Sequence, residues 1–279
     1  MKQSGARPAQ LAGTWYTADQ ETLADEVSAF IEEAEVPAAD REIVGLIAPH
    51  AGHRYSGPVA GYAYRTVQGG SYDTVVVVSP FHDGHRHPLL TTAHCCYQTP
   101  LGEVQVDQTR LKALGEELTE RNQPGLLNVA YDREHAVEIQ LPFLQTALSG
   151  EFKLLPLMLS GAQTAAAIDL GEALAEVLAG SSSLLVASTD LSHFYSEEDA
   201  NQLDQAMLEA MTSFDPKEVI AVQRKGKGEA CGLLAVICVI TAAKLLGAAD
   251  CRILNYATSG TVSGNYSRVV GYGAGVITK

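Results

Sequence analysis

Four consecutive valines at 75–78 constrain this chain more than any other feature. A half-exposed strand alternates apolar and polar residues, so an unbroken β-branched run reads as a strand covered on both faces. Similar short runs stand at 43–48, 154–159, 184–187 and 252–256. Helical periodicity falls between them, at 57–67, 135–148, 165–178, 197–211 and 232–246. Strands that alternate with helices imply crossover units, and so an α/β fold around a mostly parallel sheet flanked by helices. Runs at 88–93, 102–106 and 269–277 add candidate antiparallel strands, making the sheet mixed. Near the start, Thr17-Ala-Asp-Gln20 has capping-box spacing and leads into Leu23, Val27, Phe30 and Ile31 at helical intervals. Residues 1–13 read as a mobile N-terminal arm and 14–279 as a single domain, since no repeat or Pro/Gly/Ser-rich linker divides the chain.

At 279 residues the chain can bury roughly three quarters of its unfolded surface, so its core needs no staples. The net charge of −14 argues against nucleic acid as a partner, because phosphate binding relies on Lys and Arg. No apolar run approaches the roughly 18 residues of a membrane span. The first residues lack an apolar signal stretch, and the five cysteines show no zinc-ribbon or disulfide spacing. A reducing cytoplasm is the expected setting. Adjacent Cys95 and Cys96 read as the two faces of one strand rather than as a disulfide.

In open α/β sheets, ligands bind outside the carboxyl ends of the strands. Three apolar runs end in polar clusters: Leu46-Ile-Ala-Pro-His50-Ala-Gly-His53, Val75-Val-Val-Val-Ser-Pro-Phe-His82-Asp-Gly-His85 and Leu184-Leu-Val-Ala-Ser-Thr-Asp190-Leu-Ser-His193. His50 and His82 are the candidate ligands, His82 because its valine run belongs at the sheet centre. A plain turn position competes for His50, and a helix N-cap for Asp190. His53, His85 and His87 read as loop histidines, and His94 as a surface residue of a strand. Cys231 opens the apolar helix at 232–246, where the dipole would stabilise a thiolate for ligation or attack; Cys238 reads as core. His135 and Glu138, three residues apart, share one helical face, a spacing that recurs in metal sites and as often on a merely polar surface; both are carried as substrate-pocket candidates.

Together these segments resemble the Memo family, known in prokaryotes as AmmeMemoRadiSam system protein B. The matching pieces are Ala48-Pro-His-Ala-Gly52 with Tyr55-Ser-Gly57, Ser79-Pro-Phe-His82, Thr99-Pro-Leu-Gly102, Glu134-His-Ala-Val-Glu-Ile-Gln-Leu-Pro142, Ser188-Thr-Asp-Leu-Ser-His193, Cys231-Gly232, Asn255-Tyr256 and Gly271-Tyr-Gly-Ala-Gly275. They occur in family order over nearly the whole chain. The resemblance implies a fold related to the class III extradiol dioxygenases. It also implies a metal held by His50, His82 and Cys231, an acid–base pair of His193 with Asp190, and His135 in the same pocket. A thiolate in place of the dioxygenases' carboxylate is a departure, and it moves the site towards copper or zinc.

The leading expectation is a non-haem metal redox enzyme, Fe(II) favoured and Cu or Zn possible, acting on a small organic substrate. Family context adds an AMMECR1-type protein and a radical S-adenosylmethionine protein as partners. A zinc- or cysteine-dependent hydrolase and a non-catalytic metal- or peptide-binding module are the competing expectations.

Overall fold

A computed structural model of the chain describes residues 5–37 and 41–279. Its helices are α1 (Gln20–Glu32), α2 (His53–Arg65), α3 (Gln108–Glu120), α4 (Gln140–Ala147), α5 (Thr164–Leu178), α6 (Glu197–Thr212), α7 (Pro216–Arg224), α8 (Leu233–Leu245) and the single turn α9 (Gly260–Ser263). Its strands are β1 (Ile43–Ala48), β2 (Thr74–Pro80), β3 (Leu89–Thr92), β4 (Cys96–Thr99), β5 (Gly102–Gln105) and β6 (Leu127–Val129). They continue with β7 (Lys153–Leu159), β8 (Ser183–Ser188), β9 (His193–Tyr195), β10 (Asp250–Thr258) and β11 (Val269–Thr278).

The main sheet runs in the order β10-β11-β1-β8-β2-β7-β3-β6, with β9 pairing beside β11. Its centre, β1-β8-β2-β7, is parallel. Antiparallel pairs β11–β1, β10–β11 and β3–β7 flank that centre, so the sheet is mixed, as the sequence implies. Val75 to Val78 have no exposed surface, which is what an unbroken apolar run requires. α8 is apolar all round because it packs between the sheet and α5. There a Cβ on Gly171 would sit 2.5 Å from the Cys238 carbonyl oxygen, so only glycine lets the two helices approach. Among the described residues no helix is long and apolar enough to cross a membrane.

Three local expectations are corrected. α1 is capped by Asp19, whose carboxylate accepts from Thr22 N at 2.9 Å, and not by Thr17. A charged acceptor facing the positive end of the helix is the stronger cap. The helix expected over 135–148 begins only at Gln140, and 136–139 form turns. The arm expected over 1–13 is packed from Arg7 onward, with residues 1–4 outside the described chain. Arg7 is 1% exposed, and its guanidinium donates to the Asp132 carboxylate at 2.9 Å, to the Glu134 carbonyl at 2.7 Å and to the Glu138 carboxylate. A buried guanidinium needs this many acceptors to offset its lost hydration.

A three-histidine centre at the strand ends

β1, β8 and β2 are neighbours, so the residues following them meet at one edge of the sheet. His50 lies two residues past β1, His82 two past β2 and Asp190 two past β8. The turns before α4 bring in His135. The ligating nitrogens of His50, His82 and His135 all lie within 4.8 Å of one another. Ring centroids are 5.3 Å apart for His50 with each of the others, and 4.4 Å for the stacked pair His82 and His135. Trp15 packs 4.5 Å from the His135 ring.

Hydrogen bonds decide which nitrogen two of these rings can offer. Ser188 Oγ has one proton, and it goes to the Ala136 carbonyl at 2.7 Å. The same oxygen must therefore accept from Gln140 Nε2 at 2.8 Å and from His50 Nδ1–H at 3.0 Å. His50 Nε2 is left with a lone pair. In the same way His82 Nδ1–H donates to the Glu134 carboxylate at 2.9 Å, leaving Nε2 free. Glu134 Oε1 also lies 3.4 Å from His135 Nδ1, while its carboxylate accepts the His135 and Ala136 amides. A carboxylate behind a ligating imidazole is the usual means of fixing its orientation.

Burial, then the neighbouring imidazoles, hold His50 far below the ordinary histidine range. Burial likewise lowers His135 to about 4, with Glu134 opposing. His82 is opposed by burial too, but the hydrogen bond and charge of Glu134 outweigh it and raise its pKa. Burial pushes the Glu134 carboxyl the other way, yet its bonds with His82 and the amides win and keep it ionised. The centre thus presents two neutral imidazoles and a third oriented by a carboxylate. Crowded neutral imidazoles suit a divalent first-row ion, for which metal and proton compete.

Cys231 stands beside this group, its Sγ 3.2 Å from His50 Nε2 and accepting from Asp190 N at 3.2 Å. The helix dipole does not yield a thiolate here: burial, then the charge of Asp190, drives the thiol well above its ordinary range. Asp190 is raised to about 7 by burial, against the pull of the His50 and Ala51 amides. Its Oδ1 accepts from His50 N at 2.7 Å, so it ties the loop after β1 to the loop after β8. It caps no helix. His193 donates Nδ1–H to the Leu191 carbonyl at 2.8 Å, leaving Nε2 available, and burial lowers its pKa.

The Memo-like protein family model matches residues 7–276. This chain belongs to the Memo-like family. A MEMO1 family protein of Methanothermobacter thermautotrophicus is 34% identical over 277 residues, covering 95% of this chain and 98% of its own. MEMO1 family proteins of Nitrosopumilus maritimus and Methanopyrus kandleri are each 32% identical, covering 95% and 96% of this chain and 96% and 97% of their own.

Within this Memo-like chain the expected residues divide. His50, His82 and His135 converge, with Cys231 in contact with His50 alone among them. Glu138 does not line a pocket: it is fully buried, and its carboxylate accepts from Arg7, Gln10 N, Leu11 N and Tyr16 Oη. The turns at 136–139 turn it away from the face of His135. His53 opens α2 instead of a loop, buried and donating Nε2–H to the Ile139 carbonyl. His94 is also buried, donating Nδ1–H to the Gly5 carbonyl, not a surface residue. His85 and His87 stay in an exposed loop. Glu134, Ser188 and Gln140 are the residues that sequence reasoning passed over, although all three sit inside the segments that carry the family resemblance.

Proposed function

We propose that this chain is a metal-dependent oxidoreductase of the Memo-like family, holding one non-haem ion at His50, His82 and His135 and acting on a small organic substrate. The carrying observation is that three imidazoles converge within 4.8 Å, with the second nitrogen of His50 and of His82 already engaged by Ser188 and Glu134. Fe(II) is the favoured ion, on the resemblance to class III extradiol dioxygenases, and copper fits the nearby Cys231 sulfur. Such an ion would supply Lewis acidity and one-electron chemistry. The protein's own part is positional. His82, 36% exposed, marks the open side for substrate, while buried His50 marks the closed side. His193 offers Nε2 to accept or return a proton, a role suited to an imidazole. The same family context supports a cytoplasmic role beside an AMMECR1-type protein and a radical S-adenosylmethionine protein; the five free cysteines match a reducing compartment.

A second reading, zinc-assisted hydrolysis, is favoured by the all-imidazole set, which also suits an open catalytic zinc site. The cysteine-nucleophile version is weakened by the raised Cys231 thiol. The test is elemental analysis of anaerobically purified wild type and of His50→Ala, His82→Ala and His135→Ala. About one equivalent of iron or copper, lost in each variant and coupled to oxygen uptake, is the expected result. Zinc without oxygen uptake would favour hydrolysis. A wild type that resists every metal would overturn both readings.

A further inference from the structure

Cys95 and Cys96 do not lie on two faces of one strand. The chain bends at Cys95 before β4 begins at Cys96, and the two sulfurs come within 3.8 Å of each other, both as free thiols. Cys95 is half-buried and Cys96 is 3% exposed. Neither touches the histidine centre. Their carbonyls are both engaged: Val106 N donates to Cys95 O at 2.9 Å and Arg7 N donates to Cys96 O at 2.8 Å. Gln98 N then donates to Arg7 O at 2.8 Å, so the dithiol sits on the stretch of backbone that grips Arg7.

We propose that Cys95 and Cys96 form a redox-active vicinal dithiol that a hydroperoxide closes to a disulfide. Cys95 is the accessible partner and reacts first. Its thiolate attacks one peroxide oxygen, the O–O bond breaks, hydroxide leaves, and the sulfur becomes a sulfenic acid. Cys96 then attacks that sulfur, forming the S–S bond and expelling hydroxide, which takes the Cys96 proton. Two thiols have lost two electrons and two protons, and hydrogen peroxide has become two waters. Burial, then the contact with Cys95, pushes the Cys96 thiol up to about 12, which fits a resolving thiol better than an attacking one.

The bond would act as a switch and not as a staple. Adjacent Cα atoms stand about 3.8 Å apart, short of the roughly 4.4–6.8 Å that an unstrained disulfide spans. Strained disulfides are the readily reduced, regulatory kind. Closing the ring turns the peptide that carries Cys95 O, loosening its bond from Val106 N and disturbing the neighbouring Arg7–Cys96 pairing.

The experiment treats the full-length protein with hydrogen peroxide and maps peptides by mass spectrometry. The expected result is a peptide containing both cysteines that is lighter by two hydrogens and is restored by dithiothreitol. Hydrogen exchange at the Arg7 and Gln98 amides should speed up in the oxidised form. Reduced protein should bind phenylarsine oxide through the pair, and Cys95→Ser, at a half-buried position, should abolish that binding. Cys95 oxidised to sulfinic acid while Cys96 stays free would overturn the proposal. So would arsenical binding that survives Cys95→Ser, or a peptide unchanged by peroxide.

Discussion

The Glu134 carboxylate accepts the Nδ1–H of His82 at 2.9 Å, and that contact fixes which ring nitrogen His82 has left to offer. Glu134→Gln keeps the shape and removes the charge. It should weaken divalent-metal affinity by about 10–100-fold while leaving the far-ultraviolet circular dichroism unchanged. Competition against a chromophoric chelator measures it; unaltered affinity would show that the carboxylate does not orient the ligand.

Glu138 is only four residues further on, yet its expected phenotype is different. Glu138→Ala leaves the Arg7 guanidinium buried with one acceptor fewer, which should cost about 3–5 kcal/mol of stability. Urea denaturation reads that loss. The folded fraction should still bind metal, because Glu138 contacts none of the three histidines. Full stability combined with lost metal would reverse this assignment.

Asp190 makes the metal-free fold sensitive to pH. Its carboxyl titrates near 3.8 when unfolded and about 7 when folded, raised by burial. Between those values the folded state keeps a proton that the unfolded state has released. Its contribution is therefore complete below the lower value and is lost as pH rises to the upper one. The slope is at most about 1.4 kcal/mol per pH unit. Asp190→Asn should flatten this part of the profile in urea titrations across the window, and an unchanged profile would rule Asp190 out as its source.

With its thiol held protonated by burial and by Asp190, Cys231 should react slowly with iodoacetamide near neutral pH even after metal is removed. Timed alkylation with peptide mapping checks it. Rapid labelling of the metal-free protein would revive Cys231 as a nucleophile.

The valine run and its companions were enough to reveal the parallel centre and the edge where the chemistry gathers, because a strand buried on both faces has few other compositions open to it. α3 was equally readable in principle. Its buried Leu111, Leu114 and Leu118 recur at helical spacing, but polar neighbours dilute the pattern. Glu134 and Glu138 could not be told apart from sequence. Each is a carboxylate within three residues of His135, and their roles differ only through partners far away in the chain. His94 and His53 were misplaced for a related reason: a buried imidazole needs a specific carbonyl to receive its proton, and periodicity does not reveal that carbonyl. The bend at Cys95 likewise left no mark in the pattern of residue types.

Arg7 also sets an order of events. Its acceptors Asp132 and Glu138 lie 125 and 131 residues later in the chain. Closing so long a loop is entropically costly until the contacts that reward it exist. The turns that present His135 therefore gain their clamp only once the long stretch between Arg7 and Glu138 has been made, and the segment around Arg7 must wait unclasped until then.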